Sequence, residues 1–272
     1  MNELIYHYTS ADTFLSIVKG KSLWATDASK LNDPNEYTLG ISILKEAITD
    51  YNKNDFMSSI KDKGLRRFES VVEDFLGRST DTLQSSLSEG PLSNSFICSF
   101  SNDGGDSLSQ WRSYADDGAG FAIGINRDTL INIKDSKIFD VSYSKKELVK
   151  NVYSSLRLMV LNMNSGYSIK YPLDDVKWRS SRELEILAYS FKDVFYQSEK
   201  EVRLVNFSKP SEMSYRITNY GIAPYIEIDI TDSIHEVVLG PKCKNSETEI
   251  KSLLENLGLA EVHVRRSAGD YR

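Results

Sequence analysis

An α+β fold built on a mostly antiparallel sheet is what this sequence predicts, on three observations. Strand-like runs follow one another directly toward the C-terminus, at 201–207, 215–218, 225–230 and 236–240. Helical periodicity is gathered into blocks at 37–88 and 145–196 instead of alternating with the strands. The chain shows no repeat and no low-complexity linker. A doubly wound parallel sheet would need strand and helix to alternate throughout.

In chain order, Leu4-Ile5-Tyr6 opens a first strand that carries His7, Tyr8 and Thr9 toward a loop. Ser10 is placed to cap a helix, its hydroxyl accepting a backbone N–H that the first turn leaves orphaned. Phe14, Leu15, Ile17 and Val18 give that helix one apolar face, and Gly20 is expected to end it in a left-handed conformation. Ser22 to Thr26 reads as a second strand, and Leu31 to Glu36 as a polar loop entering a helix. The stretch 37–88 reads as two or three helices forming an insertion in a single domain spanning 1–272. Residues 94–100 form an apolar strand, 107–115 a short helix capped by Asp106 or Ser107, and 121–125 and 138–143 further strands. Helices are expected at 145–163 and 173–196, separated by Pro172. An amphipathic helix at 246–257 and a strand at 262–264 close the chain.

Composition narrows the function classes. The 272 residues are 40% hydrophobic and 26% charged, with a net charge of −6. That is ordinary for a globular protein and argues against a broad phosphate-tracking surface. Cys98 and Cys243 have no metal-ligand spacing, which fits a reduced, cytoplasmic setting. His7, His235 and His263 are too scattered for a local zinc motif, so no metal is expected. No apolar run approaches membrane-spanning length, and no basic segment precedes an apolar leader-like run. The sequence lacks a Gly-rich phosphate loop, a GxSxG elbow and HExxH; Gly118-Ala119-Gly120 is only a partial GxG.

Three polar-aromatic clusters remain. His7-Tyr8-Thr9, with Asn32, Asp33 and Glu36, offers hydrogen bonds to a ribose or phosphate; a satisfied structural histidine is the alternative. Gln110 and Tyr114 share a helical face four residues apart, as do Trp111 and Ala115. Trp111 or Tyr114 could stack on a flat ring, or both could pack in the core. In an extended chain Glu199, Glu201 and Arg203 point to one face. Close carboxylates raise each other's proton affinity, which suits acid/base work; an exposed edge with a salt bridge is the alternative.

Taken in order, HYTS, LWATD followed by LNDPNE, SFS…SQWRSYADDGAGFAIG, FYQSEKEVRL and VVLGPKC resemble a bacterial family of unknown function grouped with the ADP-ribosyltransferase superfamily. The resemblance spans residues 4 to 272. It implies a split, mostly antiparallel sheet clasping NAD in a central cleft, with helical insertions. His7 would hold a ribose or the nicotinamide half, Thr9 a ribose or phosphate, and Trp111 or Tyr114 would stack on nicotinamide. Tyr8, Trp24, Asn32, Asp33, Gln110 and Arg203 complete the expected cofactor-binding set. Glu201 would be catalytic on the nicotinamide-ribose 2′-hydroxyl, with Glu199 orienting or deprotonating the acceptor. The sequence departs from better-known members in lacking a Ser-Thr-Ser triplet before the glutamate.

The expected activity is therefore NAD-dependent transfer of ADP-ribose to a macromolecule, nucleic acid or protein. The setting would be that of a toxin or phage-defence effector, with a neutralising partner protein. The alternatives are an NAD glycohydrolase and a non-catalytic nucleotide- or nucleic-acid-binding module. A nucleic-acid acceptor would call for a basic groove drawn from Lys145, Lys146, Arg179, Arg182, Lys200 and Arg265.

Overall fold

The computed structural model describes residues 3–30, 34–53, 73, 95–164, 173–207, 213–218 and 221–269. Two compact units make up the chain: residues 1–30, 94–140 and 196–272 form the first, and 31–93 and 141–195 the second.

The first unit holds a ten-stranded sheet. Its strands are β1 (Leu4–Thr9), β2 (Ser22–Asp27), β3 (Phe96–Ser101), β4 (Phe121–Asn126), β5 (Ser136–Asp140), β6 (Glu201–Asn206), β7 (Ser214–Thr218), β8 (Gly221–Asp229), β9 (Ile234–Leu239) and β10 (His263–Arg266). The order is β10-β9-β4-β1-β3-β2-β8-β7, and β6 and β5 branch from β3. Every pair is antiparallel except β9 with β10. The expected fold class therefore holds at the level of a large, mostly antiparallel sheet with several helices.

The branch at β3 organises the sheet. One edge of β3 pairs along its full length with β6, from Phe96↔Asn206 to Ser101↔Glu201. The other edge is shared. β1 reaches it at Tyr6↔Ser101, and β2 at Thr26↔Ile97 and Asp27↔Phe96. Between those two attachments β1 and β2 part, so the Cys98–Phe100 stretch has no strand partner on that side among the described residues. Such backbone groups need other partners when water is excluded.

The sheet is covered on both faces. On one face Ile5, Phe14, Val18, Leu23, Phe96, Phe100, Phe121, Ile123, Val202, Leu204, Ile226, Ile228, Val237 and Leu239 form the main core. Phe14 comes from α1 (Ala11–Gly20) and stacks on Phe121 with ring centroids 4.1 Å apart. Ser10 caps α1 through Thr13 N–H at 3.3 Å, as its sequence suggests. Gly20 stays in the helix; the left-handed residue is Lys21 (φ 49°), whose carbonyl accepts Ile230 N–H at 2.9 Å. On the other face α3 (Leu108–Tyr114) places Trp111 against Tyr6, Tyr8, Ala122 and Val238. Ser107 occupies the N-cap position of α3, but neither it nor Asp106 makes a capping bond: Asp106 accepts instead from Trp111, Ser267 and Ala268. A four-residue helix, α4 (Arg127–Leu130), follows β4.

The second unit is helical. α2 (Pro34–Lys53), α5 (Lys145–Asn164) and α6 (Leu173–Tyr189) pack around Ile41, Leu44, Ile48, Leu148, Val152, Leu156, Leu184 and Ala188. Gly40 meets the Ala188 carbonyl so closely that any Cβ there would clash with the backbone. The helix expected to begin near 37 starts at Pro34, so Asn35 and Glu36 belong to a helix and not to a loop; proline suits a first turn because its missing N–H is not needed there. Beyond α2, the expected 37–88 insertion falls almost wholly outside the described residues. The helix expected to run to 196 stops at Tyr189, because the chain turns out to pair Phe191 with Ser142. A 3-10 turn, Val194–Glu199, then precedes β6. α7 (Glu247–Asn256) returns to the first unit behind a Ser246–Glu249 capping box.

Candidate functional site

The unpaired stretch of β3 is where chemistry-bearing side chains gather. His7 stands on β1 just past the Tyr6↔Ser101 attachment, and its Nδ1 lies 3.0 Å from the Ser99 carbonyl oxygen. A carbonyl only accepts, so Nδ1 carries the proton and Nε2 keeps its lone pair. Burial holds the imidazole below its ordinary pKa, against the Ser99 hydrogen bond and with help from the Arg216 charge. The ring is therefore a neutral, oriented acceptor, half-buried at the fork and edge-on to Phe100 at 6.0 Å.

Strand alternation separates the neighbouring candidates. His7 shares a face with Ile5 and Thr9, whereas Tyr6 and Tyr8 project to the other. Tyr8 is buried, edge-on to Trp111 at 4.8 Å, and its hydroxyl donates to Asp103 at 2.8 Å and accepts Ser107 N–H at 3.1 Å. Thr9 is buried, and its carbonyl lies so near Gly120 that a side chain there would not fit. Trp111 is 1% exposed, with Nε1 donating to Asp106 at 2.8 Å. Of the two aromatics open to a stacking role, the fold buries Trp111 and exposes Tyr114. Gln110, on the Tyr114 side of α3, is buried.

On β6, Glu201 and Arg203 are 6% and 3% exposed. Arg203 Nε donates to Glu201 Oε1 at 2.7 Å and its terminal nitrogen to Oε2 at 2.9 Å. β6 is flanked by β3 and β5, so this is an interior pair and not an edge salt bridge. Glu199 does not join that face. It ends the 3-10 turn, and Lys200 follows in a left-handed conformation (φ 44°) that breaks the two-residue alternation. Glu199 instead accepts from the Tyr114 hydroxyl at 3.2 Å, and its carbonyl from Ser101. Register sets Glu201, Ser101 and Tyr6 in one row across three strands, and Arg203 beside Ser99, whose carbonyl His7 holds.

At the β2 side of the fork, Trp24 and Thr26 share a face with Tyr225 of β8 and Arg216 of β7. Trp24 is half-buried, tilted against Tyr225 at 4.9 Å, with the Arg216 guanidinium 5.8 Å from its ring centre. Asn32 and Asp33 lie outside the described residues. Of the basic residues considered for a groove, Lys145 pairs with Glu46 at 2.7 Å in the second unit, while Arg265 pairs with Glu236 at 3.0 Å in the first. Among the described residues no group of histidines, cysteines and carboxylates could hold a metal ion, and no helix is long and apolar enough to cross a membrane.

Sequence reasoning passed over Asp27, the last residue of β2. It is fully buried; Oδ1 accepts the Ser29 N–H at 2.8 Å and hydroxyl at 2.6 Å, and Oδ2 has no partner. Burial pushes its carboxyl above the ordinary value of 3.8, against the two Ser29 hydrogen bonds. A raised folded-state pKa means the native protein holds the proton more tightly. Asp27 therefore lowers stability as pH climbs from 3.8 through the raised value, and no further above it. Asp27→Asn keeps an acceptor for Ser29 and removes the charge. Thermal unfolding of the variant is expected to match the parent near the acid end of that window and to exceed it at neutral pH. A variant less stable at neutral pH would show that the charge is used.

The fold and site define an α+β protein whose antiparallel sheet forks around a histidine. Residues 110–219 match a family described as protein of unknown function (DUF2971). That stretch contains Gln110, Trp111, Tyr114, Glu199, Glu201, Arg203 and Arg216, while His7 and Trp24 lie before it. No curated protein and no solved structure matches the chain.

Proposed function

We propose that the protein binds NAD at the fork and is an ADP-ribosyltransferase acting on a macromolecule. The observation that carries this reading is the parting of β1 and β2 along β3, with the neutral His7 imidazole held there by Ser99. An anchored ring with a free Nε2 lone pair suits a ribose hydroxyl. Cleaving the nicotinamide–ribose bond develops oxocarbenium-like charge, which a fixed carboxylate beside the sugar stabilises. Glu201, the carboxylate proposed for this role, is fixed by two hydrogen bonds one strand from the forked edge; it shares the Tyr6 face of the sheet, opposite that of His7, so the ligand would span the gap where β1 and β2 part. Tyr114, exposed and bonded to Glu199, is the aromatic available to a ligand or acceptor.

A second reading is a non-catalytic nucleotide-binding module, and the Glu201–Arg203 pair favours it. A buried carboxylate already engaged on both oxygens has less to offer a substrate.

Incubation with NAD labelled on the adenylate phosphate separates the readings, with parallel samples containing buffer alone, host protein, RNA, or single- or double-stranded DNA. Transfer predicts nicotinamide release, with acid-insoluble label in one acceptor sample. Glu201→Gln, checked for native circular dichroism, is expected to lower it by about two orders of magnitude or more. Nicotinamide release without incorporated label would identify a glycohydrolase. NAD binding without release would leave the binding module. Neither binding nor release would refute the NAD reading.

A further inference from the structure

Arg216 is a charged group that the described structure leaves poorly satisfied. Its terminal nitrogen donates to Thr26 Oγ1 at 2.6 Å, and its Nε is buried with no hydrogen-bond partner. Among the described residues no carboxylate lies within ion-pair distance of it. The side chain is half-buried beside the Trp24 ring, and burial pulls the guanidinium below its ordinary pKa. Its hydrogen-bond partner Thr26 pairs with Ile97 of β3, which sets Arg216 at the β2 side of the fork.

Elementary energetics makes this arrangement costly without a ligand. A guanidinium has several N–H donors and no acceptor, and a buried donor left unmatched loses its hydration with nothing in return. Contact with an aromatic ring and one hydroxyl offsets only part of that loss. The donors form a planar fork whose geometry matches the oxygens of a phosphate. Thr26, itself paired with Ile97 where β2 attaches to β3, fixes one arm of the fork and leaves the remaining donors for an incoming anion.

We propose that Arg216, supported by Thr26 and Trp24, is the anchor of a phosphate-binding subsite that takes the phosphate of a nucleotide. The subsite rests on the reading that the fork holds a nucleotide; it does not require that ADP-ribose be transferred. It also gives Trp24 a role distinct from packing: its ring faces the guanidinium at 5.8 Å and helps to hold it in place for the ligand.

Calorimetric titration of the whole chain with ADP, adenosine and inorganic phosphate tests the assignment, using Arg216→Met, which keeps a comparable apolar stem, and Arg216→Lys, which keeps the charge without the fork. Circular dichroism checks that each variant is folded, and Arg216→Lys decides the matter if Arg216→Met is not. The parent protein is expected to bind ADP more tightly than adenosine. Losing charge-assisted hydrogen bonds to phosphate is expected to weaken ADP about tenfold or more in Arg216→Met, with Arg216→Lys in between. Adenosine affinity should stay unchanged. Arg216-dependent binding of inorganic phosphate without any nucleotide binding would keep the subsite and reject the nucleotide. ADP affinity unchanged in folded variants would overturn the subsite while leaving nucleotide binding intact. No binding of ADP or of phosphate by the parent would overturn both.

Discussion

Arg203→Ala is expected to destabilise the protein by about 3–5 kcal/mol, because it removes the guanidinium bonded to both oxygens of the buried Glu201 carboxylate. The pair is among the least exposed ionic contacts in the first unit, at 4% and 7% of the two side chains, and both carboxylate oxygens are engaged. Replacing both partners with apolar residues, Glu201→Leu with Arg203→Met, is expected to restore much of the loss, since an interior ion pair often contributes little net stability over a well-packed apolar pair. Chemical denaturation of the two singles and the double gives the coupling directly. Under the proposed function the double variant folds and has no activity. A double variant that folds and still releases nicotinamide would remove Glu201 from the chemistry.

Trp111→Ala is the second large effect, expected at about 3–5 kcal/mol by the usual cost of emptying an aromatic site in a core. The ring fills the space between α3 and the β1–β4 pair, and its loss would also leave Asp106 without its indole donor and Tyr8 without its edge contact. Urea unfolding and NAD affinity, measured together, separate packing from ligand stacking. A packing role predicts a large loss of stability and normal NAD affinity in the folded fraction. A stacking role would predict the reverse. Tyr114→Ala, at an exposed position, is expected to change stability by only about 0.5 kcal/mol.

The local parts of this architecture were readable from residue types. Ser10 before an apolar helical stripe gave a true cap, the amphipathic pattern at 246–257 gave a true helix, and alternating runs marked most strands to within a few residues. Pairing was not readable, because the order of strands is fixed by contacts distant in sequence. That β3 serves β1, β2 and β6 at once leaves no mark on its own six residues. The site divides in the same way. Glu201 and Arg203 share a face because a strand alternates every second residue. Glu199 does not, because left-handed backbone at Lys200 interrupts the count. Arg216 was passed over for a reason of burial. In SYRIT the alternation suggests apolar residues inside and arginine in solvent, but Tyr215 and Ile217 are 61% and 89% exposed on the terminal strand of the path while Arg216 turns toward Trp24.

The central claim is that ligand binds where β1 and β2 part, against His7. Nitrogen-15 NMR of the imidazoles during titration with NAD tests it most directly, since His235 and His263 serve as internal references away from the fork. The free protein is expected to show His7 neutral and protonated on Nδ1 at pH 8, with its Nε2 resonance alone moving saturably as NAD is added. NAD binding that leaves the His7 resonances unmoved would contradict the account, as would a His7 ring protonated on Nε2.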